Sequence, residues 1–524
     1  MTAATEPARP APGRPLFGLF GILAAAAAVG AAQLAAALTR PTDSPVIAVG
    51  ATFIDLTPVW LKDFAIRAFG TADKAVLLAT IGAVLVGVAI GCGLLARRHL
   101  GWASAGIAGI GLVGAAAALS RPAAGLVAVV PSVVGAGVGV LALHLLVRSV
   151  RPPLDRVDDP STPTTVRPTA SRRTVLQGVL AVAAFAAVSG GIGSVMAGAR
   201  AGVDRARNAL RLPRPVDPAP PLPAGVASGV PGTTPFVVAN ADFYRVDTNL
   251  VVPTVDPATW QLTVGGMVDR PFTLSFDELL ALPMVERDIT LTCVSNEVGG
   301  QYAGNARWLG VRLTDLLDRA GIQPGADQLL ATAVDGWTSS TPLAVATDGR
   351  DALVCVGMNG EPLPLEHGFP VRMLVPGLYG FISATKWLVS LEATTYAAQQ
   401  AYWTQRGWAT DAPIRTMARV EVPAPLSTVS PGPQMIAGTA WAQHRGIDGV
   451  EVQIDDGPWR PARLAAEASV DTWRQWSFRW DAPTGQHTLR ARATDATGTT
   501  QPQARLDPFP SGAQGWHEVV VTVA

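Results

Sequence analysis

The sequence predicts a chain in two parts: an N-terminal all-α transmembrane region of about five spans, and a water-soluble part in which an α+β domain is followed by a β-sandwich. Five long N-terminal runs lack Asp, Glu, Lys and Arg, short apolar runs later alternate with helical stretches, and the last hundred residues alternate apolar with polar positions. The expected domains are a membrane anchor over 1–200, a Pro-rich linker over 201–238, an α+β domain over 239–424 and a β domain over 425–524.

Composition limits the classes of function. Hydrophobic residues make up 49% of the 524 positions and charged residues 15%, which is too apolar for a disordered or wholly soluble chain. Forty Lys and Arg balance forty Asp and Glu, so no net positive charge attracts nucleic acid, and no nucleic-acid partner is expected. Three cysteines are too few for a disulfide framework or a thiolate zinc site, so a functional cysteine acts alone.

The charge-free runs have the length of membrane spans. A helix rising about 1.5 Å per residue needs roughly 20 residues to cross the hydrocarbon core of a bilayer. The runs hold 21 to 26 residues and lie at 17–39, 75–96, 100–120, 122–147 and 174–199. The alternative is a large soluble helical core rich in Ala and Gly.

The distribution of basic residues predicts the orientation of these spans. With the N-terminus inside, ten Lys and Arg fall on the cytoplasmic side and five on the other, although five more arginines between 200 and 214 oppose this bias. The segment Ser171-Arg172-Arg173 precedes the fifth run and resembles a twin-arginine export signal. We therefore expect a multi-pass protein of the cytoplasmic membrane with residues 240–524 on the extracytoplasmic side. The alternative interpretation of this segment is a basic flank of a cytoplasmic loop.

No haem is predicted. The membrane region has His99 at an edge and His144 within a run, which cannot supply two axial ligands inside the membrane. The sequence also lacks a Cys-x-x-Cys-His motif for covalent haem attachment.

The water-soluble part begins after a Pro-rich stretch. Eight prolines between 213 and 235 favour an extended, semi-rigid tether. Strand-like runs such as 260–264 and 289–293 then alternate with helical stretches such as 276–281, which predicts the α+β domain. After about residue 425, alternation at 450–454 and at 489–493, each followed by a polar turn, predicts the β-sandwich.

Cys293 is the candidate functional cysteine. It ends the strand-like run 289–293 and precedes a polar loop with two glycines, a position from which a side chain can face a site. Cys92 lies inside an apolar span and Cys355 inside a strand-like run, where buried structural thiols are common. From position alone, a cysteine at a strand end more often fills a core than binds a ligand.

Five sequence blocks around and after Cys293 occur in a distinctive order. They lie at 290–296, 305–311, 367–372, 375–377 with 386–388, and 493–498. This ordered set resembles the sulfite oxidase family of molybdopterin enzymes over roughly residues 240–524, and the resemblance does not extend to the membrane part. It implies a sulfite-oxidase-like molybdopterin domain and a C-terminal immunoglobulin-like domain.

The resemblance also implies a cofactor and a set of site residues. A molybdenum atom would be held by the two sulfurs of one molybdopterin and by the thiolate of Cys293, a soft donor suited to a redox-active metal. Family motifs assign cofactor contacts to His367, Arg372 and Lys386, and with less support to Tyr244 and Arg245; each basic residue could otherwise form a surface ion pair. Two further residues, Asn296 and Trp308, would line the approach to the metal, although Asn296 could instead cap its loop.

Two positions depart from the family pattern. Asp247 stands where sulfite oxidases that bind the sulfite dianion have Arg, and Trp408 aligns with their catalytic Tyr. The molybdenum cofactor that the resemblance implies would transfer one oxygen atom and two electrons at a substrate sulfur. The two departures leave the substrate open between a small oxyanion and an S-oxide.

Three functions follow as alternatives. The first is a membrane-anchored, sulfite-oxidase-like oxygen-transfer enzyme, and the second is a methionine or other S- or N-oxide reductase of the same fold. The third is a non-enzymatic, membrane-tethered β-sandwich that binds a partner, and such a module would purify without molybdenum. For the enzymes we expect an external cytochrome or quinone-linked electron partner. Residues 425–524 are expected to form a homodimer or a docking face.

Overall fold

The structure of the chain is a computed structural model. It describes residues 13–39, 43–58, 73–121, 125–150 and 192–524, with a few single residues between 61 and 69 and between 180 and 182. The chain divides into two compact units. One comprises Met1–Ala201 with Thr248–Val251, and the other comprises Gly202–Asp247 with Val252–Ala524.

The N-terminal unit is helical. In the described residues its helices are α1 (Arg14–Leu38), α2 (Pro45–Leu56), α3 (Asp73–Ala96), α4 (Leu100–Leu119) and α5 (Val130–Val150), and α6 (Ile192–Ala209) begins in this unit. Four segments are long and apolar enough to cross a membrane: Arg14–Leu38, Lys74–Ala96, Leu100–Leu119 and Leu126–Val150. These four coincide with the first four predicted spans, and they have the length and composition of a membrane anchor.

The fifth predicted span, 174–199, lies mostly outside the described residues, as does the Ser171-Arg172-Arg173 segment. The part of it that is described begins α6, which continues to Ala209 through a stretch carrying Arg200, Asp204 and Arg205. The described residues thus contain four helices that could span a membrane, and the fifth span stays a prediction. Sequence reasoning also missed α2, a 12-residue apolar helix that is too short to cross a bilayer.

Small residues allow the long helices to approach closely. A Cβ atom added at Gly21 of α1 would lie 1.9 Å from the carbonyl oxygen of Ala89 on α3. One added at Gly93 would lie 2.1 Å from the carbonyl oxygen of Phe17. Such backbone contact is typical of helices that associate by van der Waals packing rather than by the hydrophobic effect. The abundance of Ala and Gly in these runs is thus explained by packing.

The second unit begins with a mixed α and β region built on two sheets. One sheet has the order β2-β1-β10-β5-β6, and the other has the order β3-β4-β7-β8 with β9 also paired to β7. The strands are β1 (Gln261–Gly266), β2 (Phe272–Ser275), β3 (Val285–Thr292), β4 (Ala303–Arg312), β5 (Gln328–Ala333), β6 (Thr338–Pro342), β7 (Leu353–Met358), β8 (Glu361–Pro362), β9 (Arg372–Leu374) and β10 (Leu388–Thr394). The helices are α7 (Phe276–Leu280), α8 (Leu313–Ala320), α9 (Leu343–Ala346) and α10 (Gly380–Ser383).

Local sequence signals account for the helix ends in this region. Ser275 caps α7 through a reciprocal pair of hydrogen bonds with Glu278, which is a capping box. Helix α8 buries Leu313, Leu316 and Leu317 on one face and ends at Gly321, whose positive φ of 70° suits glycine. The mixture of strands and short helices agrees with the predicted α+β class.

The Pro-rich stretch lies along this second unit. The Val216 N–H donates to the Met284 carbonyl at 2.8 Å, and the Ser228 N–H donates to Oε1 of Gln475 at 2.7 Å. The Asp217 carboxylate pairs with Arg287 at 2.5 Å and with Arg312 at 2.8 Å. The stretch is extended, as its prolines predict, but its polar groups are bound by later residues of the same unit.

The C-terminal region consists of two further sheets. Their orders are β11-β13-β17-β16 and β12-β19-β18-β14-β15. The strands are β11 (Met417–Val422), β12 (Thr428–Val429), β13 (Gly432–Trp441), β14 (Ile447–Ile454), β15 (Arg460–Pro461), β16 (Arg463–Leu464), β17 (Arg474–Ala482), β18 (Gly485–Asp495) and β19 (His517–Val523). The predicted β-rich class is therefore confirmed, and the immunoglobulin-like assignment stays a prediction.

Both C-terminal sheets contribute to one hydrophobic core. Ile436 and Trp476 come from the first sheet, and Val450, Leu489 and Val521 come from the second. Of the alternating positions that the sequence marks on β14 and β18, Ile454 is half-buried and the others are buried, which is the pattern of strands with one face on a core.

A buried carboxylate joins three segments of this region. Asp495, at the end of β18, accepts hydrogen bonds from Thr416 Oγ1 at 2.7 Å and from Arg445 Nε at 2.9 Å, and its side chain is 1% exposed. Burial alone would raise its pKa, but hydrogen bonds from Thr497, Thr416 and Arg445 outweigh burial and lower the pKa of Asp495 to about 2.

We expect Asp495→Asn to destabilise the C-terminal sheets by about 1.5–3 kcal/mol at pH 7, the range for hydrogen bonds to a charged group. Because the folded pKa lies below the unfolded value of about 3.9, this stabilisation is complete above pH 4 and is lost as pH falls towards 2. Urea unfolding of the full-length protein in detergent, followed by tryptophan fluorescence between pH 7 and pH 3, measures the difference. Asp456→Asn, at a carboxylate that is 96% exposed, is the control. A pH-independent difference between Asp495→Asn and the wild type would contradict the prediction.

Candidate functional site

Cys293 lies directly after β3, at the start of a closed loop. Its N–H donates to the Tyr302 carbonyl at 2.9 Å, and its side chain is buried. Asn296 closes the loop: its N–H donates to the Cys293 carbonyl at 3.0 Å, and its Oδ1 accepts from the Tyr302 N–H at 2.8 Å. Asn296 is itself buried, so the geometry corresponds to the loop-capping alternative.

The three cysteines have different surroundings. Burial raises the pKa of the Cys293 thiol, and this effect is opposed by hydrogen bonds from Ser295 and by the nearby charge of Lys386. Cys355 lies within β7, opposite Arg372 of β9 in the strand register, and burial raises its pKa. Cys92 belongs to the membrane helix α3. Cys293 is thus the cysteine at a strand end with hydrogen-bond donors and a cation near its sulfur.

A group of basic side chains lies close to Cys293. His367 ends the short 3₁₀ helix Leu365–His367, Arg372 begins β9, and Lys386 precedes β10. Nε2 of His367 lies 3.1 Å from the Asn240 carbonyl, and Nη1 of Arg372 donates to the His367 carbonyl at 3.2 Å. Burial and the Arg372 charge lower the pKa of His367 to about 4, so the imidazole is neutral at pH 7. Burial also lowers the pKa of Lys386 to about 8, although Asp247 opposes this.

Arg372 carries a buried charge that is not neutralised. Its side chain is 5% exposed and lies over the Trp308 ring, with Cζ 4.9 Å from the ring centroid. Its Nε has no hydrogen-bond partner, and among the described residues no carboxylate forms an ion pair with it. An isolated buried charge is costly, and guanidinium groups suit bidentate phosphate binding. The surroundings of Arg372 therefore fit an anionic group that is not part of the protein.

Asp247 forms ion pairs with two neighbouring cations. Its Oδ2 lies 2.9 Å from Nζ of Lys386 and 2.7 Å from Nε of Arg245, and its side chain is 4% exposed. Arg245 is more exposed, at 34%, and lies at the outer side of this pair. A negative charge is thus present where sulfite oxidases that bind the dianion have a positive one.

Aromatic rings pack between these groups. Phe243 stacks on Tyr244 at 5.2 Å and meets the rings of Trp308 and His367 edge-on at 5.9 and 5.5 Å. Burial raises the pKa of Tyr244, and the charges of Cys293 and Arg372 also act on it, so Tyr244 belongs to the cluster. Trp308 is fully buried and donates from Nε1 to the Ile289 carbonyl at 3.1 Å. It supports Arg372 from below instead of lining an open approach.

Trp408 belongs to a different group of rings. Its neighbours are Phe381, Trp403 and Phe509, at centroid distances of 5.5, 5.8 and 5.3 Å. None of these rings contacts the aromatic side chains around Arg372 in the described residues. Contacts thus link Tyr244, His367, Arg372 and Lys386 to the surroundings of Cys293, and the rings that contact Trp408 are different from those around Arg372.

Sequence reasoning missed Tyr379. This tyrosine lies two residues after Gly377 of the Val375-Pro376-Gly377 block, is 3% exposed, and interacts electrostatically with Cys293. Burial raises the pKa of Tyr379 to about 12, so its hydroxyl stays protonated at pH 7. Its position close to the Val375-Pro376-Gly377 block, which is part of the family resemblance, was the signal in the sequence that could have identified it.

Comparison with known proteins is consistent with this geometry. The model of the oxidoreductase molybdopterin-binding domain family matches residues 249–403, a range that includes Cys293, His367, Arg372 and Lys386. An uncharacterized oxidoreductase, YuiH, of Bacillus subtilis is 35% identical over 153 residues, which are 29% of this chain and 74% of that protein. Mitochondrial sulfite oxidase of Rattus norvegicus is 30% identical over 347 residues, covering 56% of this chain.

The chain belongs to the sulfite oxidase family of molybdopterin-dependent oxidoreductases. It spans 62% of the length of the rat sulfite oxidase and 63% of the human one. Among solved structures, the sulfane dehydrogenase SoxCD from Paracoccus pantotrophus is similar, with 22% identity, a TM-score of 0.49, and coverage of 56% of this chain and 85% of that one.

The site residues of this sulfite oxidase family member fit the cofactor that the family model names. Molybdopterin carries a phosphate, and Arg372 offers a buried guanidinium that lacks an anion. A buried thiol at a strand end provides a soft donor for molybdenum, and neutral His367 can donate or accept a hydrogen bond. Cys293, Arg372, His367, Lys386 and Tyr244 are the residues that would hold the cofactor.

We expect Cys293→Ser to abolish turnover and to lower bound molybdenum at least about tenfold, because a hydroxyl replaces the soft thiolate donor. Cys355→Ser is the matched control, since Cys355 is also buried but lies within β7. Inductively coupled plasma mass spectrometry of the purified proteins measures molybdenum per chain. Full molybdenum and activity in Cys293→Ser would exclude it as a ligand, as would loss of metal from folded Cys355→Ser alone.

Proposed function

We propose that this chain is a membrane-anchored, molybdenum-dependent enzyme that transfers an oxygen atom to or from a substrate sulfur. One observation carries the proposal: the strand-end thiol of Cys293 interacts with the charge of Lys386, in a group of buried basic side chains where Arg372 lacks an anion. When bound, the molybdenum cofactor supplies a two-electron oxygen-atom transfer. A non-enzymatic binding module would have no need of a buried, unneutralised guanidinium.

The chain's own residues bind and orient the reacting groups. Cys293 is proposed as the protein ligand of the metal, and its loop is held closed by Asn296. Arg372 and Lys386 would neutralise the cofactor phosphate, and His367 would form a neutral hydrogen bond because its pKa is about 4. Tyr379 would keep its proton near the substrate side of Cys293, since its pKa is about 12.

The charges near the site favour a neutral S-oxide as substrate. Oxidation of sulfite to sulfate consumes water and releases two protons and two electrons; reduction of an S-oxide consumes two of each and releases a thioether and water. Asp247 pairs with both Lys386 and Arg245, so it offsets one of their two positive charges and weakens the attraction of a dianion to them. Reduction of a neutral S-oxide, such as methionine sulfoxide, is therefore the second candidate function, and this pairing is the observation that favours it.

We expect the purified full-length enzyme to reduce methionine sulfoxide with a reduced viologen faster than it oxidises sulfite with ferricyanide. Asp247→Asn should lower KM for sulfite about 5–10-fold, because one like charge is removed, and should change KM for the neutral S-oxide far less. Asp242→Asn, at an exposed residue of the same segment, is the control. Activity on neither substrate by the molybdenum-loaded enzyme would contradict the proposal.

The four apolar helices indicate membrane anchoring, and we propose the cytoplasmic membrane with residues 240–524 on its outer side. An external cytochrome or a quinone-linked protein would exchange electrons with the enzyme. We also keep the proposal that the C-terminal sheets form a homodimer. What supports the orientation is the ten-to-five distribution of basic residues and the Arg172-Arg173 pair.

Protease added to intact spheroplasts should digest residues 240–524 of the wild type. Replacing Arg172 and Arg173 with Lys should protect them, because export of a folded domain would fail at the signal. Immunoblotting against the C-terminus measures the surviving fragment, with a known outer protein as the control. Protection of the wild-type domain while that control is digested would show the opposite topology.

A further inference from the structure

Strand β3, which ends at Cys293, is an edge strand of its sheet, and the C-terminal region covers its free edge. The Thr290 N–H donates to the Asp471 carbonyl at 2.9 Å, and the Thr290 carbonyl accepts from Nε2 of Gln443 at 3.0 Å. The Trp473 N–H also donates to Thr290 Oγ1 at 2.8 Å. These bonds satisfy backbone groups that an edge strand otherwise leaves unpaired.

Gln443 reaches furthest towards the cysteine. It follows β13, is 0% exposed, and donates from Nε2 to two acceptors on β3, the Thr290 carbonyl and the Thr292 hydroxyl, both at 3.0 Å. Thr292 is the residue directly before Cys293. Oε1 of Gln443 is buried and has no hydrogen-bond partner among the described residues. A buried acceptor without a partner is destabilising, so another contact must account for a glutamine at this position. The two hydrogen bonds that Nε2 donates to β3 provide that contact.

The C-terminal strands also contact the far side of the Cys293 loop. Nη1 of Arg419, on β11, donates to the Gly300 carbonyl at 2.8 Å. Gly299 has a φ of +81°, and a Cβ atom added there would lie 2.1 Å from Nε2 of His517 on β19. The loop is therefore held before Cys293 by Gln443 and after it by Arg419 and His517.

We propose that Gln443 is a positioning residue for the Cys293 sulfur, so that the C-terminal sheets take part in the reaction apart from any role in assembly. The proposal rests on the proposed function, because it takes Cys293 as the ligand of molybdenum. Groups that orient a metal ligand tune the metal as well as its affinity. With both donated bonds removed, Thr292 and the sulfur that follows it are free to shift.

The test uses Gln443→Leu and Gln443→Glu in the full-length protein. Leu removes both donors at similar size, and Glu keeps the shape but cannot donate to the Thr290 carbonyl. In the molybdenum-loaded variants we expect a changed Mo(V) electron paramagnetic resonance spectrum and a kcat about tenfold lower, with KM less affected. In the cofactor-free variants we expect faster alkylation of Cys293 by iodoacetamide, followed on its peptide by mass spectrometry.

Gln501→Leu is the matched control. Gln501 is 2% exposed, donates to the Gly515 carbonyl at 2.7 Å and accepts from the Ala418 N–H at 2.8 Å, all within the C-terminal region. Its loss should lower the unfolding temperature but leave the spectrum and the alkylation rate of Cys293 unchanged.

A wild-type spectrum and alkylation rate in both Gln443 variants, with only a lower unfolding temperature, would overturn the proposal. If a variant does not retain molybdenum, the alkylation rate of Cys293 in the cofactor-free protein tests the proposal alone. A wild-type rate would then overturn it. Failure of the proposed function has a different signature: the wild type would lack molybdenum, or Cys293→Ser would keep it. The alkylation result is independent of either outcome.

Discussion

The burial of an uncompensated positive charge governs the arrangement of the site. Arg372 is enclosed by the hydrophobic core of the second unit, with Trp308 beneath its guanidinium and Nε without a partner. A protein can keep such a charge only if an anion joins it or if the rest of the fold is stable enough to tolerate it. The neighbouring side chains accord with this constraint: His367 is neutral, Lys386 is already paired, and the aromatic rings exclude water.

Asp247 shows how the same constraint affects substrate choice. Two cations without a carboxylate near them would attract any small dianion, whereas Lys386 and Arg245 share one buried carboxylate here. Arg372 is the cation of this group for which no carboxylate partner is found among the described residues, so its charge is available to an anion such as a cofactor phosphate. Lys386 and Arg245 instead share the Asp247 carboxylate, which weakens the attraction that they exert on other anions.

The sequence predicted those features that depend on local pattern. Charge-free runs predict the four long apolar helices of the described residues because a run of about 20 apolar residues suits a membrane span, and the ordered blocks around Cys293 identify the family because several of them bear groups that meet in the site. What it could not predict depends on tertiary contact. The partners of Asp247 lie up to 139 residues away, Tyr379 is marked only by its neighbours, and Gln443 reaches β3 across 153 and 151 residues. No periodicity or spacing records such pairs.

The Pro-rich stretch has a consequence for how an anchor and an enzyme can be joined during evolution. Asp217 bridges Arg287 of β3 and Arg312 of β4, and Val216 bonds to the residue before β3. A recombination event at residue 239 would therefore remove one carboxylate partner of both arginines and leave backbone groups at the start of β3 without their partners. The natural junction lies earlier, near Gly202, where the second unit begins. A soluble protein derived from this one should therefore keep the Pro-rich stretch, because the stretch binds the strands of the second unit. It would keep the stretch even without a membrane anchor to connect.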